Sequence, residues 1–396
     1  MHKGEKVSRQ IRMLSIMSVA LENVMVTTDR NSILQGFSGT ILPCVTSADR
    51  RVRQAAISCL GKYGLLTDRV TISTVIKPLL FEVTSNEDEV IEARAQALLG
   101  LCDLALLFDI AKNSEEFVAI LSDLVQHEET TMVVLTAEVC AKLLLAGKLQ
   151  HEEIMARLII IYFTLCGSIA REEANEDVSE VGSPVRLQQI LSLFFPAYCM
   201  CDKKNRITLL HAIKPIISIT IGTSEVHRKK KENLASSVPT MIDFICSTVD
   251  GANLNGRITD DLCDTSGEKE NDAKGDDPLA GSVNDLLLSR ALFAAVSISD
   301  SLLENRSEMS ATNLRTMCKT LASVIEKVEL AATPENLVLM KQARKLKKNS
   351  EELDFLISDH YASAWLERLR EKMELVKYDS DTSDDKTSDN GEELPG

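Results

Sequence analysis

Apolar residues return along this chain with a helical period, in paired blocks that repeat. In segment 39–66, Val52, Ala55, Ala56, Cys59, Leu60 and Tyr63 stand at i, i+3, i+4, i+7, i+8 and i+11, one stripe of an α-helix. An apolar helix carrying Pro43 and a short turn precede that stripe. Segment 74–108 repeats the plan with Pro78 and the stripe Val90, Ala93, Ala97 and Leu101. Segment 115–149 repeats it again with Val133, Ala137, Ala141 and Leu144. Pro43 and Pro78 are 35 residues apart, and Val52, Val90 and Val133 are spaced by 38 and then 43.

An irregular period near 40 residues is that of HEAT or armadillo repeats, and it predicts an all-α solenoid of stacked antiparallel helix pairs. One helix pair cannot bury its own apolar stripe. Small residues such as Ala56, Ala97 and Ala141 let neighbouring helices approach until stacked pairs share a core. A fourth unit is predicted over 154–200, its second helix opening at Ser183-Pro184 with Ser as N-cap and Pro in the first turn. A fifth spans 205–250. Helices resume at 283–304, 310–330 and from Pro334, capped by Thr333, towards Lys377. The runs Leu158–Phe163 and Ile216–Ile221 are β-branched enough to suggest strands, but the repeat context assigns them to helices.

Composition supports long helices with short connections. Gly (17) and Pro (9) together make up about 7% of the 396 residues, against roughly 12% in average proteins. The net charge of −15 is concentrated. Segments 171–181, 257–285 and 379–396 carry −4, −6 and −6, which leaves the remaining chain close to neutral. Their polar composition predicts solvated loops and tails. The domain organisation expected is therefore 1–250 as helical repeats with an acidic insertion at 171–182, an acidic disordered linker at 251–284, further helical repeats at 285–378, and an acidic disordered tail at 379–396. The longest apolar run, between Arg157 and Arg171, falls short of the ~20 residues a membrane span needs. Ten scattered cysteines without a Cys-x-x-Cys motif fit a reducing compartment. The expectation is a soluble intracellular protein.

No catalytic constellation stands out. Six histidines share no ligand or triad spacing, and no phosphate-binding or dinucleotide fingerprint occurs. Cys199-Met200-Cys201 is a close thiol pair without a second Cys/His pair, and reads as a buried helix face before it reads as a metal site. No enzyme, cofactor, metal or small-molecule substrate is expected. Three basic clusters are candidate DNA-phosphate contacts: Arg50, Arg51 and Arg53 at a turn; Arg228, Lys229, Lys230 and Lys231 after the Gly222 turn; and Lys341, Arg344, Lys345, Lys347 and Lys348 along one helix. The competing reading of each is a solvated face. No aromatics interleave with them, which argues against stacking on single strands. Trp365 reads as a packing residue of the last helix.

The text of the third and fourth units is more specific. "AEVCAKLLLAGKLQHEEIMARLIIIYF" followed by "VRLQQILSLFFPAYC" resembles the C-terminal domain of the condensin G-subunit (CAP-G) family. The matching positions are Ala137, Glu138, Ala141, Lys142, Leu143, Gly147, Tyr162, Phe163, Leu187, Phe194, Phe195, Pro196 and Tyr198. Similarity extends over about 35–305. It departs where Thr164-Leu165 replaces the family's usual proline and where the acidic insertion is longer. The resemblance implies a regulatory non-SMC subunit binding a CAP-H-type kleisin and, through it, the SMC ATPases. It also implies contact with double-stranded DNA, in the nucleus and on mitotic chromosomes, with a cytoplasmic location in interphase as the alternative. Family members are longer and begin upstream, so a fragment or short isoform is expected. A nuclear-transport or phosphatase HEAT adaptor binding peptides is the alternative. Ser183-Pro184-Val185-Arg186 also suits a proline-directed, cyclin-dependent kinase.

Overall fold

A computed structural model describes residues 3–24, 32–67, 72–84, 91–127, 129–169, 183–221, 237–252, 283–326 and 337–374. They form helices α1 (Lys3–Glu22), α2 (Ser32–Val45), α3 (Arg50–Leu65), α4 (Ser73–Thr84), α5 (Ile91–Phe108), α6 (Ile110–Asn113), α7 (Glu115–Leu124), α8 (Thr130–Leu145), α9 (Glu152–Ile169), α10 (Pro184–Cys201), α11 (Lys203–His211) and α12 (Ile213–Ile221). α13 (237–252), α14 (Val283–Asn305), α15 (Ala311–Glu326), α16 (Leu337–Leu356) and α17 (His360–Glu374) follow. No strand occurs among the described residues. Both β-branched runs are helical, within α9 and α12. The acidic segments 171–182 and 379–396, and all but the ends of the 251–284 linker, lie outside the described residues.

The turn residues explain where helices start. Asp49, Ser114 and Asp202 accept hydrogen bonds from the N–H groups of Arg51, Phe117 and Lys204, so each closes an otherwise open first turn. α8 ends at Gly147, whose φ of 65° no β-carbon favours, and Lys148 N then donates to Leu143 O at 2.9 Å. α10 ends differently: the buried Asn205 and Arg206 of α11 donate to the carbonyls of Tyr198 and Cys199, each at 2.9 Å. Those bonds fold α11 back onto the helix before it.

The first compact unit is Met1–Ala212. Here the predicted stripes face inward: Val52, Ala56, Cys59 and Leu60 of α3, Ala93, Ala97 and Leu101 of α5, and Ala137, Ala141 and Leu144 of α8 are all buried. α3 packs on α5 and α5 on α8, so each second helix of a pair serves as the next pair's floor. The closest approach is glycine against glycine. A β-carbon on Gly61 would lie 3.2 Å from the Cα of Gly100, and one on Gly64 would meet Val75 and Leu104 at 2.9 Å. Between α9 and α10 the resemblance motif is a packed aromatic cluster. Tyr162 meets Phe195 edge-on at 5.8 Å, and Phe194 meets Tyr198 at 5.4 Å. Glu138 of the same motif is buried and draws Arg186 across from α10 at 3.1 Å.

The second unit is Ile213–Gly396, so the division falls well before the expected linker at 251–284. The reason is that α12 belongs with α14. Ile213, Ile216 and Ile217 are buried, Lys214 pairs with Glu304 at 2.6 Å, and Asn305 donates to Ser218 at 3.3 Å. The single helix expected from Pro334 towards Lys377 is two helices. Asp359 breaks it, accepting from the N–H groups of Tyr361 and Ala362 at the start of α17 and gripping Arg315 of α15 with both oxygens. Those bonds, led by the one from Arg315, lower the Asp359 carboxyl to about 2.

The glycine contact sets a testable stability difference. Gly61→Leu forces a side chain against the Gly100 backbone and should destabilise the chain by roughly 1–3 kcal/mol, the usual cost of overpacking. Gly36→Ala in α2, where a β-carbon meets nothing within 4 Å, should instead be neutral or stabilising by up to about 1 kcal/mol. Denaturant melts followed by helical circular dichroism measure both.

Candidate nucleic-acid interface

Of the two basic clusters that lie among the described residues, one forms an open stripe. α16 buries Ala343, Leu346, Asn349 and Leu353 and leaves Lys341, Arg344, Lys345 and Lys348 exposed. Spacing of i, i+3, i+4 and i+7 aligns these four cations along one face, about 10 Å from first to last. Lys347, off that face, is half-buried.

α14 fixes the stripe by polar bonds as well as by packing. Asn349, 6% exposed, donates to Ser299 Oγ at 2.9 Å and to Asp300 Oδ1 at 2.8 Å. Lys345 Nζ donates to the other Asp300 oxygen at 2.7 Å. Arg306 closes the far end, donating to Leu356 O at 3.1 Å. Asp300 thus neutralises Lys345, while Lys341, Arg344 and Lys348 have no carboxylate partner among the described residues.

The Arg50, Arg51 and Arg53 cluster is built differently. Arg50 pairs with Glu92 at the start of α5, and Arg53 lies 3.6 Å from Glu82 of α4 with both side chains largely buried. These two pairs tie α3 to its neighbours. The Glu92 carboxyl is held below its usual range by its own backbone N–H and by Arg50. The Arg51 side chain is 71% exposed and lies 3.4 Å from the carboxylate of the capping Asp49. Arg228, Lys229, Lys230 and Lys231 lie outside the described residues.

Nothing in the described geometry resembles a reaction centre. The thiols of Cys59 and Cys102 are pushed up to about 11 and those of Cys199 and Cys318 to about 12, chiefly by burial, which makes them poor nucleophiles. Among the described residues no group of three or more His, Cys, Asp or Glu side chains is placed to hold a metal, and no helix is long and apolar enough to cross a membrane. One feature escaped sequence reading: Trp365 is half-exposed and flanked by Lys319 and Arg368 rather than packed in a core. The i, i+3 spacing of Trp365 and Arg368 was visible, but Lys319 joins them only through the pairing of α15 with α17.

Residues 12–330 match the family model for nuclear condensing complex subunits, C-terminal domain (Cnd3). The chain belongs to this condensin subunit family. Its fold resembles that of the crystal structure of the S. pombe condensin Cnd3–Cnd2 subcomplex, with a TM-score of 0.60 and 17% identity over 93% of this chain and 42% of that one. The chain therefore spans less than half the length of that relative, and at this identity the likeness concerns the HEAT-type fold. No curated protein matches the chain.

Ser183 holds the N-cap position of α10 by its backbone, but its hydroxyl makes no capping bond. The residue is 7% exposed and its Oγ is buried with no partner among the described residues, while Arg186 is engaged by Glu138. The hydroxyl must therefore be uncovered before a kinase can reach it. A cyclin-dependent kinase should modify Ser183 in the folded chain at least tenfold more slowly than in a peptide of the same sequence. Equal initial rates by mass spectrometry contradict that burial.

Proposed function

We infer that the chain acts as a regulatory, non-catalytic HEAT subunit of condensin, binding the kleisin subunit and, through it, joining the SMC ATPases. The observation that carries this is the family match over residues 12–330. The likeness to a chain solved as a Cnd3–Cnd2 subcomplex supports the kleisin as partner. Localisation to the nucleus and to mitotic chromosomes follows from that assembly. In this reading 251–284 and 379–396 are acidic tethers flanking helical repeats, and Ser183 is a mitotic modification site once its hydroxyl is uncovered.

Double-stranded DNA is the second ligand, and the α16 stripe is its contact. Lys341, Arg344 and Lys348 are exposed without a carboxylate partner among the described residues, and Lys345 is held in place by Asp300. Such a row supplies phosphate affinity without reading bases. Arg51 and the Arg228–Lys231 run are further contacts in the same reading, whereas Arg50 and Arg53 serve the packing of α3. Capture of the tagged chain from mitotic cells should recover a kleisin and both SMC subunits in near-equal amounts. Recovery of transport cargo or phosphatase subunits, with no kleisin, would replace this reading with that of a peptide-binding adaptor.

A further inference from the structure

A groove of about 480 Å³ runs between α15 and α17, floored by Ala322, Ile325 and Leu369 and edged by Arg368 and Lys372. Trp365 does not line the groove but stands one turn before its rim residue Arg368 on α17, with the Arg368 guanidinium 4.7 Å and the Lys319 ammonium 5.9 Å from its ring centroid. Cations on an indole are steadied by its electron-rich faces, so less freedom is lost when they meet an anion. Among the described residues neither Lys319 nor Arg368 pairs with a carboxylate, although Arg315, one turn from Lys319, is taken by Asp359. Glu326 and Glu371 also line the groove. A mixed rim over an apolar floor suits a peptide with spaced acids better than the continuous charge of a nucleic-acid backbone.

The chain carries such a peptide beside the groove. α17 ends at Glu374, two residues beyond Lys372, and the following residues reach Asp379, Asp381, Asp384, Asp385, Asp389, Glu392 and Glu393 with Lys386 as the one intervening base. Asp379 is five residues from Glu374, a reach of up to ~17 Å, while Trp365 lies about 10 Å back along α17 from Lys372. Tethering at this length gives an effective concentration on the order of millimolar. We propose that the acidic segment 379–393, which lies outside the described residues, occupies the α15–α17 groove and covers Trp365 through Lys319 and Arg368. The contact is a self-association that a competing acidic partner or higher salt displaces, and it does not depend on the condensin reading above.

Trp365 is the chain's sole tryptophan, so its fluorescence reports without labelling on cover of the Lys319–Trp365–Arg368 cluster beside the groove. In the full chain at low salt, quenching by acrylamide, a neutral molecule that reads cover rather than charge, should be weak. Changing the seven acids of 379–393 to Asn or Gln should raise the quenching constant at least twofold. Raising salt to about 0.5 M, where screening shortens to a few ångströms, should do the same in the unaltered chain. A synthetic 379–393 peptide at about 1 mM should restore protection to the neutralised chain. Equal quenching of the two chains at low salt, or no restoration by the peptide, would overturn the proposal.

Discussion

A pair of amphipathic helices leaves half of its apolar surface facing water, and stacking the next pair on that face is what makes the array stable. The spacing between helices is therefore the constraint on which the first unit depends. It is set where side chains are smallest: Gly61 against Gly100 at the α3–α5 crossing, with Ala56, Ala97 and Ala141 buried along the same succession of stripes. Larger residues there would separate the helices and loosen the packing of Leu60, Leu101 and Leu104. The second unit meets the same constraint with polar groups. Ser299 and Ser301 are fully buried in α14, and Asn349 of α16 bonds back to Ser299. A buried amide has few positions where its donors are satisfied, so this pair also fixes the register of α16.

Packing sorts the cations of the described residues. Arg53, Arg186 and Arg290 are drawn to acids within the packed body, at Glu82, Glu138 and Asp250, and their work is structural. On α16 the i, i+3, i+4, i+7 row is turned outward by the burial of Ala343, Leu346 and Asn349, and among the described residues only Lys345 meets an acid, Asp300. Charge that folding does not consume remains available to a ligand. The same distinction sets Arg315, held by Asp359, apart from Lys319 and Arg368 beside it.

The helical stripes were legible because a period of 3.6 needs only local sequence, and the aromatic text around Phe194, Phe195 and Tyr198 was legible as family resemblance. Its role as packing between α9 and α10 emerged only in three dimensions. The glycine crossing was missed because a glycine inside a helix looks like a weakness until its neighbour's backbone is seen. The break at Asp359 was missed because its capping bonds compete with a continuous apolar pattern on both sides. Ser183 misled in the opposite direction: its position fits a cap, yet its hydroxyl makes no capping bond. Basic clusters looked alike in sequence, and only the positions of Glu82, Glu92 and Asp300 separated consumed cations from free ones.

In the proposed function, the α16 cations that lack a carboxylate partner among the described residues meet duplex phosphates. The direct measurement is the salt dependence of duplex affinity for the kleisin-bound chain, set against the same complex carrying Lys341→Gln, Arg344→Gln and Lys348→Gln. The substituted complex should bind every sequence more weakly, and to the same degree. Its slope of log affinity against log salt should be shallower by up to about 2.7, or roughly 0.9 for each phosphate no longer neutralised. An unchanged affinity and slope would contradict a phosphate-binding role and leave α16 as a solvated face.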